Sequence, residues 1–259
     1  LPISGRLQFE EQHIAGALFA DINTDLATHD PTLAVNGGRH PLPTREHFAQ
    51  FLSACGIEAQ TQVVVYDRQG MNFCGRLWWM LQWCGHEAVA VLDGGLQAWV
   101  AAGGQVESGA PVDAPACVFE LRPSLVTLLH TSDVYAEMGK PTQTILDARA
   151  PARFRGETEP FDPVAGHIPG ALNRPFNSLA NTNLRLPIGI HLGEVISEVE
   201  GCARAVRATH DRDSSRRQLC IRVQLLNRCI VPGLYSAEIN VAKCLAIEDD
   251  FTSLDTIDV

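Results

Sequence analysis

Cysteine and arginine are the side chains with the most chemistry to offer. Eight cysteines stand at irregular spacing in a chain of 259 residues, and none forms a Cys-x-x-Cys pair. That pattern predicts neither a zinc site nor a disulfide framework, since both need spacings that are missing. Cys55, Cys84 and Cys117 read as small buried apolar residues, which leaves one or two thiols for reaction. A reactive thiol works as its thiolate, favoured by cations or by N–H groups at a helix N-terminus. The cations indicate the substrate class. Only Lys140 and Lys243 of the twenty basic residues are lysines; the others are arginines, whose planar fork suits oxyanions. A net charge of −10 opposes binding to a phosphate polymer, and the basic run 204–217 reads as a solvated helix face. A small anion is the expected partner, with no nucleic acid, no metal and no cofactor.

The elements that must position these groups read as α/β. HFAQFLSACGI (47–57) has helical spacing and stops at Gly56, and TQVVVYD (61–67) is a β-branched run fit for a buried strand. GRLWWMLQWCGH (75–86) predicts a helix, AVAVLDGG (88–95) a strand and LQAWVAAGG (96–104) a further helix. Strands and helices alternating at this spacing predict a parallel sheet covered on both faces. Such sheets bind ligands beyond the carboxyl ends of their strands, which directs attention to the loop after VVVYD, with Asp67 at its mouth. Residues 105–124, punctuated by prolines and without periodicity, predict a linker. Beyond it, TSDVYAEMG (131–139) reads as helix and TQTILDAR (142–149) as strand. No apolar run approaches the roughly 18 residues of a membrane helix. A soluble monomer in the reducing cytoplasm is expected, with no membrane partner.

Two segments repeat. QHIAGALF (12–19) and GHIPGALNRPF (166–176) share His-Ile-x-Gly-Ala-Leu, and a repeat at domain spacing predicts two related domains. VLDGGLQAW, LDARAPARFRGE and AGHIPGALNRPF, in that order, resemble the tandem-domain rhodanese superfamily, the thiosulfate or 3-mercaptopyruvate sulfurtransferases. The resemblance covers about residues 6–177. It implies an α/β fold of two rhodanese-like domains, each a parallel sheet flanked by helices: a noncatalytic domain at 1–104, the linker at 105–124 and a catalytic domain at 125–259. It also implies a first strand ahead of GRLQFEEQHIAGA, without which the first sheet would be incomplete.

The same resemblance assigns roles. Asp67 stands where an active domain has its cysteine, which makes the first domain a structural partner, with Cys74 nearby as packing. Arg153 matches the donor-binding arginine; its other reading is an ion pair with Glu157 or Glu159. Arg155 has a weaker claim. His40, in GRHPLP, resembles a segment that reaches toward the donor pocket, and a loop histidine bonded to backbone is the alternative. His13 and His167 are expected to hold turns. The family's glycine-rich cysteine loop and its later Gly-Ser-Trp-Ser-Glu-Trp segment are absent, and from about Ser178 the text departs from the pattern. A divergent loop, a degenerate domain or an altered reading frame would each produce that departure.

Cys220 is the nucleophile candidate by its distance beyond GHIPGA, ahead of Cys229, although CIRVQL lacks glycines to turn N–H groups inward. A Cys-x5-Arg phosphatase-type loop is disfavoured because Leu226 occupies the arginine position. The implied function is transfer of a sulfane sulfur from a small anionic donor, thiosulfate or 3-mercaptopyruvate, to a thiophilic acceptor such as cyanide or a thiol, through a cysteine persulfide. Phe161 and Asp162 replace a second arginine of the mercaptopyruvate type, which leans toward thiosulfate. The alternative is a noncatalytic rhodanese-like binding or regulatory module.

Overall fold

A computed structural model gives the fold and describes residues 5–69, 73–111, 113–140, 143–175, 191–196, 205–209 and 242–248. Its elements, in chain order, are α1 (Gly5–Glu11), β1 (His13–Ile14), β2 (Leu18–Asp21), α2 (Arg45–Ala54), β3 (Gln62–Tyr66), α3 (Cys74–Trp83), β4 (Val89–Val91), α4 (Gly95–Ala101), β5 (Val106–Glu107), β6 (Thr127–Leu129), α5 (Thr131–Glu137), β7 (Gln143–Asp147), α6 (Pro151–Phe154), β8 (Leu172–Asn173), β9 (His191–Ile196), β10 (Ala205–Thr209) and β11 (Ala242–Glu248). The chain separates into two compact units. The first is drawn from residues 1–33, 43–125 and 228–259, the second from 34–42 and 126–227.

The first unit is built on a parallel sheet of order β2-β11-β3-β4. Val63, Val64, Val65 and Tyr66 are all buried, as a strand covered on both faces requires. Phe9 and Ile14 pack with Phe19, Tyr66, Leu92 and Leu96 in one core cluster, each large apolar side chain contributing about 1.5–3 kcal/mol by leaving water. Thr44 caps α2 by accepting from the His47 N–H at 3.2 Å. The expected gap in this sheet is filled. Strand β11 pairs in parallel with both β2 and β3, with Leu245 and Ala246 fully buried. Residues 180 and 227 positions apart thus share one sheet, a pairing that no local pattern encodes.

Past β5 the chain is tied along this unit by backbone bonds from Cys117 to Ser53 (3.0 Å), Arg122 to Cys84 (3.2 Å) and Leu125 to Gln82 (3.0 Å). It crosses directly over the end of α3. Gly85 there has φ +82°, and a Cβ on it would lie 2.5 Å from the Arg122 Cβ and 2.8 Å from the Pro123 carbonyl oxygen. Gly85→Ala is expected to lower the melting temperature by about 4 °C or more, because the left-handed backbone alone costs an alanine about 1–2 kcal/mol and the crossing segment must also shift. A calorimetric melt checks this.

The second unit has a five-stranded sheet of order β6-β9-β10-β7-β8. Strands β6 and β9 are parallel, as are β7 and β8, while β10 runs antiparallel to both β7 and β9. This sheet therefore departs from wholly parallel at one strand. Over 205–209 the same strand corrects the reading of a helix face: Ala205–Thr209 pairs residue by residue with Asp147–Gln143, and ladder bonds replace helical ones; the rest of the run 204–217 lies outside the described residues. Leu129, Val134, Ile145, Ile168 and Ala171 make its described core, with Phe154 and Met138 against them.

Candidate functional site

In the first unit the loop after β3 is the topological site. Asp67, fully buried, fills it with its own carboxylate: Oδ1 accepts from the Gln69 N–H at 2.8 Å, and Oδ2 from the N–H groups of Phe73 at 2.8 Å and Cys74 at 3.1 Å. Its backbone carbonyl accepts from the Leu96 N–H at 3.1 Å. Gly95 lies so close, with φ +57°, that a Cβ would sit 2.2 Å from that carbonyl oxygen. An anion is therefore already seated at the start of α3. Cys74 is fully buried; burial first, and the Asp67 charge second, push its thiol well above the ordinary cysteine range, which disfavours a thiolate there. Cys84 is pushed up to about 11, chiefly by burial.

The second unit repeats the turn of the first. In each, the HI-x-GAL histidine stacks on a phenylalanine and bonds its backbone: His13 on Phe9 with ring centres 3.9 Å apart, His167 on Phe154 at 3.7 Å. Nδ1 donates to the Phe9 carbonyl at 2.8 Å and to the Phe154 carbonyl at 2.7 Å. A carbonyl can only accept, so Nδ1 carries the proton in both. Both histidines hold turns.

From β7 a chain of alternating charges runs outward. Arg149 is buried and holds Asp147 at 2.8 Å and Glu159 at 3.2 Å, and it donates to the Gly166 carbonyl. Glu159 then accepts from Arg153 at 2.6 Å and from the N–H groups of Phe161 and Asp162, both at 3.1 Å. Arg153 also meets Asp162 at 2.9 Å. Desolvation would raise the Glu159 carboxyl, but these bonds, that of Arg153 foremost, hold it below the usual glutamate range. The ion-pair reading of Arg153 is thus present with Glu159, while Glu157 pairs with Arg155 at 2.5 Å in an exposed contact of small energetic weight.

Segment 34–42, which carries His40, clusters with this unit. Arg39 stands 4.9 Å over the Phe161 ring and Arg153 stands 5.1 Å from the same ring centre. Sequence reasoning passed over Arg39; its signal was only adjacency to His40. It also passed over Arg174, the residue after β8. The Nε and Nη2 atoms of Arg174 are buried without a hydrogen-bond partner among the described residues. Cys220 and Cys229 lie outside the described residues. Among the described residues no group of three His, Cys, Asp or Glu side chains could hold a metal ion, and no helix is long and apolar enough to cross a membrane.

Comparison with known proteins gives this geometry a context. Residues 3–102 match the model of the rhodanese-like domain. The chain is 44% identical over 171 residues to a probable 3-mercaptopyruvate sulfurtransferase of Pseudomonas aeruginosa, covering 66% of this chain and 59% of that protein. It is 40% identical over 186 residues to a putative thiosulfate sulfurtransferase, SseB, of Mycobacterium tuberculosis, covering 68% of this chain and 61% of that one. Among solved structures, the 3-mercaptopyruvate sulfotransferase SseA of Escherichia coli aligns with a TM-score of 0.60 at 25% identity, over 96% of this chain and 86% of its own. The chain spans about three fifths of the length of these two curated relatives.

Proposed function

Starting from a chain that belongs to the rhodanese superfamily, we propose that it is a sulfurtransferase whose second domain carries the chemistry. The observation that carries this reading is the seated Asp67 carboxylate: the loop of the first unit is closed by its own anion, which leaves the second unit to bind the donor. Along the sequence the domain division is read as 1–104, 105–124 and 125–259, with β11 of the last segment crossing into the first sheet. A cysteine thiolate attacks the outer sulfur of thiosulfate, the sulfur–sulfur bond breaks and sulfite leaves; with 3-mercaptopyruvate the carbon–sulfur bond breaks instead, and the departing pyruvate enolate takes up the proton that the donor thiol gives up. The persulfide then gives its terminal sulfur to cyanide or a thiol, and the thiolate returns. Cys220 is the nucleophile in this reading, and Arg153 and His40 contact the donor. Arg153, fixed by Glu159, takes the anionic group by exchanging it for the more exposed Asp162. Cys55, Cys74, Cys84 and Cys117 are free thiols, and a reducing, cytoplasmic setting is part of this reading.

The test is sulfur uptake. After mixing with thiosulfate, intact-mass measurement is expected to find one added sulfur atom on the wild-type chain and none on Cys220→Ser, since the thiolate and not a hydroxyl attacks sulfane sulfur. Sulfur retained by Cys220→Ser removes Cys220 from the reaction. No uptake by the wild type favours the noncatalytic module, which the want of glycines around Cys220 already recommends as the second reading.

A further inference from the structure

Aligning the two HI-x-GAL segments sets Arg174 against Ala20, and Ala20 is fully buried within β2. The second unit therefore places a guanidinium where the first has a methyl group. The residue is firmly held. Its N–H donates to the Asp147 carbonyl at 2.8 Å, and the adjoining Asn173 amide donates to the carbonyls of Asp147 at 3.1 Å and Arg149 at 2.9 Å. These bonds fix it at the carboxyl ends of the parallel strands β7 and β8, the side on which α/β sheets take ligands.

Nε and Nη2 of Arg174 are both buried without a hydrogen-bond partner among the described residues. They are not two arbitrary atoms: together they form the side edge of the guanidinium, the two-point fork that matches the paired oxygens of a carboxylate or sulfonate. A buried charged donor left unbonded weighs against folding more than a neutral one does, and such a group is retained where a bound molecule completes it. Arg153, by contrast, already has the carboxylates of Glu159 and Asp162.

We propose that Arg174 is a further anion-binding residue of the second domain, gripping the oxyanion group of the sulfur donor in bidentate fashion. The proposal rests on the donor reading given above and adds to it the residue that recognises the donor's oxygens.

Titration calorimetry and thermal melts of the full chain with thiosulfate, and separately with pyruvate, test it in wild type, Arg174→Ala, Arg174→Lys and Arg153→Ala. Without anion, Arg174→Ala is expected to melt at or above the wild-type temperature, because an unsatisfied cation has been removed. Its Kd for the anion is nevertheless expected to rise about tenfold or more. Arg174→Lys, which keeps the charge and loses the fork, is expected to recover only a minor part of that loss. The anion whose binding falls further identifies the oxyanion recognised. A Kd unchanged in Arg174→Ala overturns the proposal, and so does a lowered melting temperature without anion, which would show the guanidinium partnered within the fold. Loss confined to Arg153→Ala overturns it and spares the donor reading. Failure of the wild type to bind either anion overturns both.

Discussion

Arg149→Ala is expected to destabilise the second unit by about 3–5 kcal/mol, the range for removing one partner of a buried ion pair. The loss exceeds that of a surface salt bridge because Arg149 has two carboxylates to neutralise. Asp147 is fully buried and the Glu159 side chain is only 5% exposed, so an alanine leaves both with diminished compensation. The Gly166 carbonyl, at the entrance to the His167 turn, loses its donor as well. Urea denaturation followed by circular dichroism measures the effect; a change below about 1 kcal/mol, typical of exposed pairs, would show that solvent replaces these contacts. The pH dependence has a defined sign. Glu159 is held below its ordinary value in the folded state, so its contribution is present above the unfolded glutamate pKa of roughly 4.3 and is lost as pH falls through the folded value. Acid unfolding of the wild type should begin in that window, and Glu159→Gln should flatten it.

Asp67→Ala is expected to cost about 3 kcal/mol or more in the first unit. Hydrogen bonds to a charged group contribute about 1.5–3 kcal/mol each when removed singly, and this carboxylate accepts three; they share one anion, so their losses do not add in full. Two of the donors, the N–H groups of Phe73 and Cys74, open helix α3 and have no partner within it. Asp67→Asn keeps one acceptor oxygen and should lose about half as much. Denaturant melts of both variants against wild type decide between this account and a passive Asp67, for which the two substitutions would be equivalent and mild.

The legible parts were those written in local pattern. The Val-rich run of β3, the periodicity of α2 and α3, and the glycines that end them each specify an element from a few adjacent residues, because buried strands and amphipathic helices have short periods. The repeated HI-x-GAL marked two turns of one kind, and both histidines do stack and bond alike. Arg153 was singled out by resemblance alone, and its pairing with Glu159 rather than Glu157 was beyond reach: both acids are close in sequence, and which one faces it depends on how the loop 155–167 closes.

By itself, then, the sequence determined the α/β class and the repeated HI-x-GAL turn, since residue type and spacing are enough for each, while the reading of Asp67 in place of a cysteine came from the family resemblance. Tertiary structure alone decided that β11 enters the first sheet between β2 and β3, that β10 runs against its neighbours, and that Arg174 faces inward while Arg39 meets Phe161. The physical reason is common to all four. Strand partners and the burial of a side chain are set by groups far away in the chain, through ladder bonds and desolvation whose energies exist only once those groups have been brought together.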